Sequence, residues 1–117
     1  MEIMAIIPAR GGSKGIPLKN LKLLNGKPLI DYSINSSIKS KFITRTIVSS
    51  DHPKILKRAE KLGAEILKRP KNLATDSSKL EPVMEHCLNY FKLKENYIPD
   101  IIILLQNTSP LRTKNHI

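Results

Sequence analysis

The stretch Ile6-Ile7-Pro8-Ala9-Arg10-Gly11-Gly12-Ser13-Lys14-Gly15-Ile16-Pro17-Leu18-Lys19-Asn20 decides how the rest of the sequence is read. An apolar run from Ile3 to Ile7 reads as a buried strand. It breaks at Pro8 and passes into a loop that holds three glycines, two lysines and one arginine. Glycine lacks a Cβ, so backbone can approach a ligand closely. Successive backbone N–H groups in such a turn form an anion-binding concavity. Arg10 offers a planar fork to phosphate oxygens, and Lys14 and Lys19 offer mobile point charges. A strand that empties into a cationic glycine-rich loop is suited to a phosphate chain. The plain alternative, a self-solvating surface loop, is weakened by the position directly after the first strand.

The loop fits neither of the common phosphate signatures. Gly11-Gly12-Ser13-Lys14 lacks the spacing of G-x-x-x-x-G-K-[ST]. A dinucleotide fingerprint opens a helix, whereas Pro17 keeps this segment extended by pushing Ile16 away from α geometry. The phosphates are therefore expected on an irregular loop and side chains.

Working outward, Leu21 to Leu24 reads as a short extended piece, and Asn25-Gly26 as a turn. Ile30, Ile34 and Ile38 share one face of a helix from Leu29 to about Ser40, with Pro28 in its first turn. Thr44 to Ser50 reads as a strand. Asp51 is placed to cap the helix that follows, with Pro53 in its first turn and Ile55, Leu56, Ala59 and Leu62 as its buried stripe. Gly63 stops that helix. Ala64 to Leu67 is a short strand, and Lys68 to Asp76 a loop. Ser78-x-x-Glu81 matches a capping box for a helix that buries Val83, Met84, Cys87, Leu88 and Phe91. Ile101 to Leu105, apolar on both faces, reads as a central parallel strand.

Strands alternate with helices, which predicts an α/β three-layer fold with a mainly parallel sheet and right-handed crossovers. Ligands in such sheets bind beyond the carboxyl ends of the strands. Those ends carry 10–20, Ser49-Ser50-Asp51, Arg69 and 106–112.

Composition sets the outer limits. The chain has 117 residues, enough for one core, and no apolar run near the ~20 residues of a membrane span. Cys87 stands alone, so no intrachain disulfide forms and a reducing, cytoplasmic setting is expected. The net charge of +10 points to anionic partners. The lysines are scattered and Trp is absent, so phosphorylated small molecules are favoured over nucleic acid, and no membrane partner is expected.

Ile7 to Asn20 closely resembles the opening of the acylneuraminate cytidylyltransferases, the CMP-sialic acid synthetases. Gly26-Lys27-Pro28-Leu29-Ile30, Val48-Ser49-Ser50-Asp51, Arg69-Pro70, Leu73-Ala74, Asp76 and Leu104-Leu105-Gln106-Asn107-Thr108-Ser109-Pro110-Leu111-Arg112 match that family in order, with Ser50 for threonine and Asn107 for proline. The resemblance implies a Rossmann-like nucleotidyltransferase fold of the glycosyltransferase-A type. It implies an enzyme that activates an acidic 2-keto sugar, N-acetylneuraminate or a relative, with CTP. The sugar's anomeric hydroxyl attacks the α-phosphorus and pyrophosphate leaves. By the same resemblance Arg10, Lys14 and Lys19 carry catalysis and hold the triphosphate with the backbone of Gly11, Gly12 and Ser13. Asn20 and Arg69 hold the cytidine. Gln106 meets the sugar, with Thr108, Ser109 and Arg112 as weaker candidates.

Residues 1–117 are expected to be the N-terminal portion of a single cytidylyltransferase domain, incomplete at the C-terminus. Mg2+ is the expected cofactor, with its ligands downstream of residue 117 and none within this chain. A homodimer is expected at full length. A pseudaminate or legionaminate synthetase, or an inactive nucleotide-binding fragment, are the alternatives. Asn20 has a plain reading as a loop brace, Arg69 as a surface cation, Asp51 as a helix cap and Asp76 as an Asx-turn residue. His86 reads as structural and Cys87 as a small core residue.

Overall fold

The computed structural model of the protein describes residues 1–9, 21, 23–24, 26–70 and 80–105. The strands are β1 (Ile3–Pro8), β2 (Leu23–Leu24), β3 (Lys27–Pro28), β4 (Arg45–Ser50), β5 (Glu65–Lys68) and β6 (Ile101–Leu104). The helices are α1 (Leu29–Lys39), α2 (Pro53–Lys61) and α3 (Leu80–Glu95). β5, β4, β1 and β6 lie side by side in that order, every neighbouring pair parallel, while β2 and β3 form a separate antiparallel hairpin. The α/β reading of the sequence holds.

The period-two alternation of β1 divides the core. Ala5, Ile7 and Ala9 face one layer, where they meet Ile30 and Ile34 of α1, Ile55 and Ala59 of α2, and Val48. Met4 and Ile6 face the other, with Ile47, Leu67, and Cys87 and Phe91 of α3. Such a strand, buried on both faces, is what a parallel sheet between helix layers requires. β6 follows the same rule: Ile103 and Leu105 join the first layer, Ile102 and Leu104 the second. Its apolar run reads as a central strand, but among the described residues it pairs on one side only, with β1, and Ile101 is exposed.

The helix ends show why the chain turns where it does. Pro28 is the residue immediately before α1, its fixed φ of −57° leading into the helix. Asp51 does not cap α2. The cap is His52, whose Nδ1 accepts the Lys54 amide at 3.2 Å. His52 is itself fixed by its own N–H donating to Ser50 Oγ at 3.1 Å. Gly63 follows α2 with φ +96°, a left-handed conformation that costs a residue with a Cβ about 1–2 kcal/mol.

Two ion-pair assemblies tie elements far apart in sequence. Asp31, in the first turn of α1, is 2% exposed and accepts Arg58 Nε at 3.0 Å and Nη2 at 2.5 Å from α2. At the opposite end of the sheet, Arg45 pairs with Glu65 and Glu95, and its guanidinium stacks 4.8 Å from the Phe91 ring centre and 4.5 Å from that of Tyr97. The carboxylates hold this arginine charged far above the working pH range, against the opposing pull of partial burial. Glu65 on β5 and Glu95 on α3 are thereby fastened to β4.

Candidate functional site

The strand order reverses at β1. From β1 the chain moves outward to β4 and β5, then returns to place β6 on the other side of β1. In sheets of this kind the usual ligand position lies beyond the carboxyl ends of the strands where the order reverses. The residues described at this edge are Pro8 and Ala9, Ser49 to His52, Lys68 and Arg69, and Leu105.

Parallel pairing continues one step past the strands and fixes their exits. The Ala9 amide donates to Ser49 O at 2.9 Å, the Arg69 amide to Ser50 O at 2.7 Å, and the Leu105 amide to Ile6 O at 2.9 Å. Arg69 is the one sequence-predicted site residue among those described. It is not a surface cation: only 4% of it is exposed. Its Nε donates to Ser49 Oγ at 3.2 Å and its Nη2 to Ser49 O at 3.0 Å. A guanidinium with two of its N–H groups on one residue has a fixed plane, which suits recognition of a flat, polar edge.

Ser49 is the anchor of the edge. Fully buried, it accepts at both its hydroxyl and its carbonyl. Cys87 of α3 is buried as well. Burial pushes that thiol up to about 11, against the contrary pull of Ser49 and Arg69. Cys87 is thus a buried packing residue rather than a nucleophile. One residue earlier, His86 Nδ1 is buried with no hydrogen-bond partner among the described residues. Burial, and then the positive charge of Arg69, hold the His86 imidazole below the usual histidine range. Sequence reasoning placed Ser49 at the ligand edge and in a matching block but gave it no role, and read His86 as structural. A serine that anchors a guanidinium twenty positions away leaves no local trace in sequence.

Arg10, Gly11, Gly12, Ser13, Lys14, Lys19, Asn20 and Gln106 lie outside the described residues, as do Asp76, Ser78, Thr108, Ser109 and Arg112. The described edge nevertheless shows where their segments start. Ala9, the last described residue before Arg10, bonds Ser49, which also anchors Arg69, and Leu105, the last before Gln106, bonds Ile6 from the other side of β1. A hard cation at a triphosphate needs carboxylates as well as phosphate oxygens. Among the described residues this edge offers Asp51 alone, and no three His, Cys, Asp or Glu side chains come together. These residues do not by themselves make a magnesium site.

Comparison with known proteins fits this geometry. The family model for cytidylyltransferases matches residues 4–117. The chain belongs to the cytidylyltransferase family. It is 40% identical over 116 residues to the N-acylneuraminate cytidylyltransferase of Escherichia coli O18:K1:H7, covering 99% of this chain and 26% of that protein. It is 39% identical over 116 residues to the pseudaminic acid cytidylyltransferase of Campylobacter jejuni, covering 98% of this chain and 50% of that one. The CMP-N,N'-diacetyllegionaminic acid synthase of Legionella pneumophila is 40% identical over 113 residues, with 96% and 48% covered. Among solved structures, CMP:2-keto-3-deoxy-manno-octonic acid synthetase complexed with CTP superposes with a TM-score of 0.77 at 21% identity, covering 99% of this chain and 44% of that one. That likeness supports the nucleotidyltransferase fold. The chain spans between a quarter and a half of the length of these curated cytidylyltransferases.

Proposed function

We propose that this cytidylyltransferase chain is the nucleotide-binding part of an enzyme that transfers a cytidylyl group from CTP to an acidic 2-keto sugar and releases pyrophosphate. The observation that carries the reading is the fixed Arg69 at the carboxyl edge of a parallel sheet, beside the start of the glycine-rich cationic loop, in a chain matched from residue 4 to 117 by the family. In this reading Arg69, with Asn20, holds the cytosine. Arg10, Lys14 and Lys19, with the backbone of 11–13, hold the triphosphate, and Gln106 meets the sugar. Catalysis is then mainly positioning of the sugar hydroxyl in line with the α-phosphorus, and stabilisation of charge as pyrophosphate departs. Magnesium belongs in this reading beside the phosphates, where it would neutralise their charge, with acidic ligands drawn from outside the described residues. A cytoplasmic, homodimeric enzyme acting on small molecules completes it, in keeping with the lone Cys87 and the absence of a long apolar helix among the described residues.

A second reading of the sugar has equal support, because relatives named for neuraminic, pseudaminic and legionaminic acids stand at 39–40% identity alike. The test is pyrophosphate release by the intact protein with magnesium, CTP and each of the three sugar acids. Release with CTP and one of them, and not with UTP, is the expected result. No release with any sugar acid, or equal turnover with UTP, would overturn the proposal.

A further inference from the structure

β4 ends in two serines where a buried strand favours β-branched side chains. Thr46 to Ser50 are all buried, and Ser49 fully so. A hydroxyl in such a place is destabilising unless it is hydrogen-bonded. The Ser50 hydroxyl accepts the His52 amide at 3.1 Å, at the start of α2. The Ser49 hydroxyl accepts Arg69 Nε at 3.2 Å, and the Ser49 carbonyl accepts Arg69 Nη2 at 3.0 Å. The Arg69 amide donates to the Ser50 carbonyl at 2.7 Å. Two successive residues of β4 thus hold Arg69 by side chain and by backbone. We propose that Ser49 is a positioning residue for base selection: its hydroxyl fixes the plane of the Arg69 guanidinium, and the preference for cytosine depends on that plane. The proposal rests on the reading of Arg69 as a cytosine-binding group.

The chemistry of the two pyrimidines explains why a plane matters. Cytosine presents an acceptor at N3, and uracil presents an N–H donor there. A guanidinium carries donors and no acceptor. Held in the plane of the base, it pairs with cytosine and sets one donor against another with uracil, which leaves polar groups unpaired in a buried site. A guanidinium that swings turns away from the uracil N–H and finds the carbonyl oxygens instead, so the discrimination shrinks. One hydrogen bond leaves the group able to rotate about that contact, and a second removes the rotation. Nε and Nη2 lie on one edge of the fork, and both donate to Ser49. Packing alone asks only for a small side chain at this position, which alanine would supply; the hydrogen bond to Nε asks for the hydroxyl.

Two measurements on the intact protein test this. The first needs no ligand: the Arg69 Nε–H signal is followed by NMR in wild type and in Ser49→Ala. Its exchange with water is expected to quicken several-fold in the variant, and an unmoved signal would overturn the proposal. The second compares CTP and UTP affinities by calorimetry in wild type, Ser49→Ala, Arg69→Gln and the double variant. Ser49→Ala is expected to cut the preference for CTP by about tenfold, the size of one hydrogen bond to a charged group. Added to Arg69→Gln it is expected to change the preference no further, because Ser49 acts through Arg69. Ser49→Cys, measured in reductant, fills the same space with a weak acceptor and is expected to match Ser49→Ala, so the test survives a poorly folding alanine variant. A preference that Ser49→Ala and Ser49→Cys leave intact, or an equal fall with and without Arg69, would overturn the proposal. A wild type that binds CTP and UTP alike would instead refute the proposed function, and the NMR signal would still decide whether Ser49 holds the guanidinium.

Discussion

Asp31 is 2% exposed beside Arg58, and replacing Arg58 by Met removes the two hydrogen bonds that Arg58 Nε and Nη2 donate to its carboxylate. Removing one partner of a buried ion pair costs about 3–5 kcal/mol, because the remaining charge has lost its solvation twice over. Two features of the structure lower that figure. Asp31 lies in the first turn of α1, where the helix dipole favours an anion by about 0.5–1 kcal/mol. The Arg58 side chain is 29% exposed, so water reaches the space it vacates. The expected loss is therefore roughly 2–4 kcal/mol, well above that of an ordinary surface substitution. Urea unfolding of the intact protein measures it, with Asp31→Asn/Arg58→Met as the companion. The double variant has no stranded charge and is expected to recover at least half of the loss. If Arg58→Met alone costs less than about 0.5 kcal/mol, the pair is a surface ornament and the reasoning fails.

Three further outcomes are expected. Arg10→Ala and Lys14→Ala should weaken CTP binding by about 1.5–3 kcal/mol each and CMP binding far less, measured by calorimetry; equal losses would move both side chains off the outer phosphates. Gly63→Ala should cost about 1–2 kcal/mol in thermal or urea unfolding, because φ is +96° there while the nearest atom to the added methyl, Ile38 Cδ1, is a comfortable 3.8 Å away, so strain rather than crowding is what is measured. The Cys87 thiol, raised by burial to about 11, should be roughly one part in a thousand thiolate at pH 8 and alkylate only as fast as the protein opens. Because its folded value lies above its unfolded one, its contribution to stability is whole below the unfolded value and is lost as pH rises toward 11. Cys87→Ala should flatten that alkaline decline.

Local periodicity made the elements legible. The alternation through Ile3 to Ile7 and the spacing of Ile30 and Ile34, or of Ile55 and Ala59, are written in neighbouring residues, and the burial pattern follows them. The helix cap was misplaced because Asp51 and His52 both offer an acceptor near the right position. The choice between them depends on Ser50, whose hydroxyl fixes the His52 backbone. The central reading of Ile101 to Leu105 followed from its hydrophobicity, which reports helices on both faces and says nothing about how many strands flank it. Pairs such as Asp31 with Arg58, or Ser49 with Arg69, join positions more than a turn of chain apart and appear only when strands are ordered. Arg69 was found through a matching Arg-Pro block, but its burial, which turns a surface cation into a fixed fork, came from the sheet.

The carbonyl oxygen of Ser49 takes two hydrogen bonds, one from the Ala9 amide and one from Arg69 Nη2. Ala9 is the last described residue before the cationic loop, and Arg69 is the group assigned to the base. One atom thus ties the residue that precedes the proposed phosphate loop to the fork proposed for cytosine. A displacement of Ala9 would disturb the acceptor that Arg69 also uses. The two ends of a nucleotide would in this way be sensed by a single lever, so that a phosphate chain seated badly degrades the grip on the base without touching it.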